Sequence, residues 1–178
     1  KLGATAAALL SERSIRRRAS PDDSLDVRVA GSDVFVYAED LARWDDEGRS
    51  AVHRLGLDAG AYRIVQRVRT QLLRSVGARR DRSADPGSLA QREDALNLAL
   101  LAGFPDRIGK LREGASGALE LVFAEGGSAQ LDPRSAVREV ELAVALAVEE
   151  RRGRSGAPKV VVRSAATVEL EGLLELFV

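Results

Sequence analysis

The sequence contains no cysteine, no methionine and a single histidine. Without cysteine there is no disulfide framework, no thiolate metal site and no thiol nucleophile, which fits a reducing compartment and makes the cytoplasm the expected location. With His53 alone, no multi-histidine metal centre can be assembled, and any Ser-His-Asp relay would have to pass through it. Its neighbours suggest no such role, so His53 reads as a surface or helix-start residue. The missing methionine, initiator included, makes the chain read as an excised piece of a longer protein. Aromatic residues make up only 4%, so the core must be built mainly of Leu, Val and Ala. Twenty-seven basic and 27 acidic residues cancel; any attraction to nucleic acid or to a membrane surface must therefore be local. No apolar run approaches the roughly 20 residues of a membrane span, and the N-terminus lacks a signal-peptide pattern.

The 178 residues are enough for one substantial core or two small ones. Their periodicity predicts an α+β chain, helices first and strands after. Leu2, Ala6, Leu9 and Leu10 have helical spacing, and the pattern breaks between Ser14 and Pro21 across the basic run Arg16-Arg17-Arg18. Leu25, Val27 and Val29 alternate like a strand, yet Leu25, Val29, Val34, Tyr37, Leu41 and Trp44 fit a helix better; Pro21-Asp22-Asp23 would start it and Asp45-Asp46-Glu47-Gly48 end it. Asp58 can cap a further helix whose apolar face is Ala61, Ile64 or Val65, Val68, Leu72 and Val76. Residues 78–87 form a polar linker. Ser88 and Gln91 then have capping-box spacing for a helix that closes on Gly103, with Pro105 as its stop.

From Arg107 the period changes. Short segments around Ile108 and Leu111, Leu119–Phe123 and Ala129–Leu131 are separated by Gly-rich turns, including Gly126-Gly127. Val140, Leu142, Val144 and Leu146 alternate over a longer strand that ends near Glu149-Glu150-Arg151-Arg152, and Lys159–Arg163 forms another. About five strands in so short a stretch point to a small barrel rather than a sandwich. Thr167 can cap a last helix carrying Val168, Leu170, Leu173, Leu174 and Phe177. The expected division is a helical domain over 1–92 and a barrel domain over 93–178.

Catalytic patterns are scarce. Gly103 to Lys110 superficially suggests a phosphate-binding loop, but five residues separate Gly103 from Gly109, Leu111 stands where a hydroxyl is needed, and Pro105 removes a backbone donor. The carboxylates at Glu39-Asp40 and Asp45–Glu47 lack a companion base or a Gly-spaced calcium loop and read as a solvated helix end. The basic groups say more. Residues 54–82 hold eight arginines against Asp58 and Asp81; Arg63, Arg67 and Arg74 share one helix face, with Arg69 at its side. That face is either a stripe that contacts phosphates or a solvated surface snorkelling over the core. Arg107, Lys110 and Arg112 cluster at the first strand, where alternation sets Lys110 and Arg112 opposite Leu111. With Phe123 the only aromatic candidate in the sheet, backbone contact is expected rather than base reading.

The run Leu96–Arg112, ending Ala-Gly-Phe-Pro-Asp-Arg-Ile-Gly-Lys-Leu-Arg, resembles the segment entering the OB-like domain of HrpB-type bacterial ATP-dependent helicases of the DEAH/RHA group. The likeness continues through Leu121–Pro133, Glu141–Glu150, Lys159–Arg163 and the closing Leu-rich helix, and Ala4–Arg13 is similar to the start of that family's helical ratchet region. Residues 20–50 depart from the family pattern. The resemblance implies a ratchet-like bundle followed by an OB-like barrel, taken from a helicase whose RecA-like motor domains bind ATP and magnesium; none of those motor residues occurs here, and no catalytic residue carries over. It also implies partners: single-stranded nucleic acid, RNA above DNA, and the motor and winged-helix domains of the same polypeptide, with no membrane. The alternative is a protein-interaction scaffold whose arginines serve only solubility. An independent enzyme is the weakest reading, because no acid–base pair or nucleophile constellation stands out.

Overall fold

Helix chemistry explains the first half of the molecule. The computed structural model describes residues 1–12, 15, 28–48, 56–77, 87–152 and 158–178; the readings made for Arg16–Arg18, Pro21–Asp23, His53 and most of the 78–87 linker lie outside them. Among the described residues four α-helices come first: α1 (Leu2–Ser11), α2 (Asp33–Glu47), α3 (Ala59–Ser75) and α4 (Leu89–Gly103). Asp58 caps α3 by accepting from the N–H groups of Gly60 and Ala61 at 2.7 and 2.9 Å. Ser88 and Gln91 form the reciprocal capping box of α4, at 2.8 and 3.2 Å. Beyond Gly103 the chain makes a 3₁₀ turn over Pro105–Arg107 and enters five strands: β1 (Ile108–Glu113), β2 (Leu119–Phe123), β3 (Ser128–Leu131), β4 (Leu142–Arg152) and β5 (Pro158–Thr167). A further helix, α5 (Leu170–Phe177), follows.

The chain divides into two units: Lys1–Ser24 with Val34–Arg92, and Leu25–Asp33 with Glu93–Val178. In the first, α1 packs against α3, and Val65, rather than Ile64, is the fully buried residue of α3; Ile64 stays on the surface. Of the helix expected to start at Pro21-Asp22-Asp23, Leu25 and Val27 also lie outside the described residues, residues 28–32 are not helical, and α2 begins at Asp33. The residues just before it are extended: Ser32 makes an isolated bridge to Ala166, the Ala30 N–H donates to Ala136, and the Thr167 N–H donates to Gly31. Val29 and Gly31, both poor helix formers, leave this stretch to pair with a strand edge, so it belongs with the second unit and not with the helical one.

In the second unit the pairing runs β1-β2-β3-β5-β4 and returns to β1, so the sheet closes on itself. All pairings are antiparallel except β3 with β5, where Gln130 and Leu131 lie beside Val161 and Val162. Two places need glycine, one for a close approach and one for a positive φ. A Cβ on Gly109 would stand 2.8 Å from the Val122 carbonyl oxygen across the β1–β2 ladder, and the β2–β3 turn holds Gly126 and Gly127 at φ +101° and +83°. The interior is filled by Leu111, Leu121, Ala129, Leu131, Val137, Ala143, Ala145, Val162 and Ala165, with Leu119, Phe123 and Val140 packed at its margin.

Four sequence expectations change here. Ala143 and Ala145 of β4 enter the core, not Val144 and Leu146, which are buried on the opposite face. Val140 precedes β4 rather than opening it. Strand β5 runs on to Thr167, which is therefore not a cap; Glu169 occupies the N-cap position of α5 and makes no side-chain cap bond. Arg107 sits in the 3₁₀ turn rather than in the strand. The first three share a cause: residues 143–146 and 164–168 are buried on both faces, which erases the two-residue alternation that marks a one-sided strand.

Candidate nucleic-acid interface

Six cations were expected to form the binding surface, and they fall into two sets with different surroundings. On β1, Lys110 and Arg112 point outward and Leu111 inward, as alternation requires. Each already has a carboxylate partner: Lys110 Nζ lies 3.1 Å from Glu141 Oε1, and Arg112 Nη2 lies 3.8 Å from Glu120 Oε2 across the β1–β2 ladder. Arg107 stands 3.7 Å from the Asp106 carboxylate with its guanidinium 5.2 Å above the Phe104 ring, a cation–π arrangement. These pairs are largely solvent-exposed, so each contributes at most about 1 kcal/mol and yields readily to a phosphate.

On α3 the picture is different. Arg63, Arg67 and Arg74 are exposed and have no carboxylate partner among the described residues. Arg69 is the exception, with Nη1 3.3 Å from Asp45 Oδ2. At 1.5 Å rise per residue the three free guanidinium groups are spread over roughly 17 Å of helix. Arg67 and Arg74 line an open groove of about 560 Å³ together with Gln66, Thr70 and Gln71. Charged and amide donors on one helix face can neutralise and hydrogen-bond a sugar–phosphate backbone without reading bases.

Asp45 anchors the neighbouring surface of the helical unit. It accepts hydrogen bonds from the Tyr62 hydroxyl and, at 2.7 Å, from Gln66 Nε2, and Trp44 stacks on Tyr62 with centroids 3.9 Å apart and planes 5° from parallel. Burial of the phenol, then its bond to the Asp45 carboxylate, holds the Tyr62 pKa above 10.0.

Sequence reasoning missed the polar groups that organise the second unit. Asp33 is 1% exposed; its Oδ1 accepts from the Ala136 N–H at 2.7 Å, and its Oδ2 from the Ala165 N–H and the Ser135 hydroxyl, both at 2.8 Å. Asp132 accepts from the Arg134 N–H at 2.9 Å and pairs with Arg163 Nη1 at 2.6 Å. Arg163 also lies 3.6 Å from Glu149, which pairs with Arg151. Burial pushes the Asp132 carboxyl pKa up, but the Arg134 N–H and the Arg163 guanidinium together outweigh it and hold the group below its ordinary 3.8. Arg138, also missed, lines a second groove of about 290 Å³ between the β1–β2 turn and the exit of β3, beside Ser116, Gly117, Leu131 and Pro133. A helical charge pattern marks Arg63, Arg67 and Arg74 in sequence; nothing local marks Asp33, whose partners stand more than a hundred positions away.

Among the described residues, no group of three or more His, Cys, Asp or Glu side chains is placed to hold a metal ion, and no helix is long and apolar enough to cross a membrane. No protein-family model and no curated protein matches the chain.

Proposed function

We propose that the chain is an accessory part of an ATP-dependent nucleic-acid helicase acting in the cytoplasm, and that it holds single-stranded RNA through sequence-neutral contacts to the backbone. The observation that carries this reading is the row of Arg63, Arg67 and Arg74, exposed on one helix and without carboxylate partners among the described residues. Cations already facing carboxylates release little on meeting a phosphate; unpaired ones gain the full counterion-release term. Support also comes from the second unit. Its cyclic strand order and short glycine turns suit an OB-like barrel, and in such barrels oligonucleotides lie over β2 and β3 and the β1–β2 loop. The Arg138 groove borders that loop.

The resemblance of residues 96–133 to HrpB-type helicases supplies the rest of the proposal. ATP and magnesium would be bound by RecA-like motor domains of the parent polypeptide, on which, together with a winged-helix domain, this part would pack. Leu170, Leu174 and Phe177, exposed along one face of α5, are suited to such packing. The same exposed face favours the second reading, a protein-interaction scaffold.

The test is binding of a fluorescein-labelled single-stranded oligouridine and of an RNA duplex of equal length, followed by anisotropy. The single strand should bind more tightly than the duplex. Arg63→Ala/Arg67→Ala/Arg74→Ala should weaken it more than Arg107→Ala/Lys110→Ala/Arg112→Ala. Unchanged affinity in both triple variants would overturn the nucleic-acid reading and leave the scaffold.

A further inference from the structure

Among the cations of the second unit, Arg138 is held in a different way from the paired ones. Lys110, Arg112, Arg134 and Arg163 each face a carboxylate, whereas Arg138 has no such partner among the described residues. Two backbone carbonyls hold it instead: its Nε donates to Ser135 at 3.1 Å and its Nη2 donates to Pro133. A guanidinium carries five N–H donors, so two are engaged and three remain. Carbonyls carry no net charge, and the cation stays uncompensated. The side chain is also fixed before any ligand arrives, which spares the ordering entropy that a free arginine would lose on binding.

Arg138 lines the groove of about 290 Å³ between the β1–β2 turn and the exit of β3, with Leu119 and Pro133 as apolar surface and Ser116 adding a hydroxyl. Pro133 is exposed and Leu119 half-buried, so both can be touched from solvent. Asp132 also borders the groove, but it is 6% exposed and already engaged by Arg134 and Arg163. Two cations meet its charge, and that of Arg138 is left standing. The groove is small among ligand sites, with room for one unit of a chain molecule rather than several. A fixed guanidinium can hold a phosphate through paired N–H···O bonds, and an apolar wall beside it suits the face of a base.

We propose that this groove binds a single nucleotide, its phosphate on Arg138 and its base against Pro133 and Leu119. The source of that nucleotide, one unit of the bound RNA, rests on the single-strand reading; the contacts themselves do not. Arg63, Arg67 and Arg74 take no part in them, so the two sets of contacts can be lost one at a time.

The test is an NMR titration of the full chain with uridine 5′-monophosphate, uridine, inorganic phosphate and N-acetylleucine. The monophosphate should move the Gly117 and Ala118 amide signals and the Arg138 Nε signal. Uridine, without the charge, and inorganic phosphate, without the base, should each bind more weakly by about tenfold or more. Arg138→Gln should weaken the monophosphate by about tenfold, whereas Arg63→Ala/Arg67→Ala/Arg74→Ala should leave it unchanged. Unmoved Gly117 and Ala118 signals, unchanged affinity in Arg138→Gln, or uridine or inorganic phosphate bound as tightly as the monophosphate would overturn the site, even with labelled oligouridine bound to the chain. N-acetylleucine bound as tightly as the monophosphate would overturn it too and make a polypeptide carboxylate the occupant. The monophosphate bound in the groove with oligouridine unbound would overturn the single-strand reading and uphold the site. Should Arg138→Gln fail to fold, the comparison of the monophosphate with uridine still decides the matter.

Discussion

Helix α2 carries two aspartates with opposite fates. Asp33, at its first residue, is sealed from water and holds three donors of the sheet unit. Asp45, near its other end, is about one-third exposed and collects Tyr62, Gln66 and Arg69 on the surface of the helical unit. Both are carboxylates that gather at least three donors, yet water competes for only one of them. The difference extends to the units themselves. Much of the sheet unit's polar chemistry is directed inward and fixes the fold. The helical unit keeps its cations outside, where a ligand can reach them.

Substitutions at the two aspartates should separate these roles most clearly. Asp33→Ala strands three buried donors and should cost about 3 kcal/mol or more, whereas Asp45→Ala should cost under about 1 kcal/mol; denaturant unfolding followed by circular dichroism measures both. Equal losses would break the comparison. Leu121→Ala, in the sealed interior of the sheet, should cost about 2–5 kcal/mol, while Ile64→Ala on α3 should stay within about 0.5 kcal/mol.

Asp132→Asn should remove about 1.5–3 kcal/mol at neutral pH by weakening bonds that end on a charge. The pH dependence has a definite sign. Because the folded carboxyl titrates below its ordinary 3.8, its contribution is complete above that value and is lost as pH falls through the lower, folded pKa. The wild-type protein should therefore lose this contribution below pH 3.8, and the asparagine variant should show a shallower acid limb in unfolding titrations.

Much of the architecture was legible in the sequence where one signal acted alone. Asp58, Ser88 and Gln91 announced two helix starts, and the Gly126-Gly127 pair announced a turn, because capping and positive φ are local demands. The outward set of Lys110 and Arg112 against Leu111 was equally plain on a strand with one wet face. Legibility failed where two faces are dry. Val144 and Leu146 look like core, but Ala143 and Ala145 fill the narrow interior, and a register shift after Ala145 disturbs the alternation further. The extended stretch before Asp33 was hidden for a related reason: its pairing partners, Ala136, Ala166 and Thr167, are remote in sequence. Of the candidate interface, residue positions could be read, but not which cations already face carboxylates. That distinction exists only in three dimensions.

Smallest in stability and most informative for function are the α3 arginines: Arg63→Ala, Arg67→Ala and Arg74→Ala should each change stability by no more than about 0.5 kcal/mol. Their effect should appear instead in the salt dependence of single-stranded RNA binding, measured for the wild type and the triple variant between low and physiological salt. If the three guanidinium groups meet phosphates, the slope of log K against log salt becomes shallower by about 0.7 per lost contact, about 2 in all. Parallel slopes for the two proteins would contradict the account.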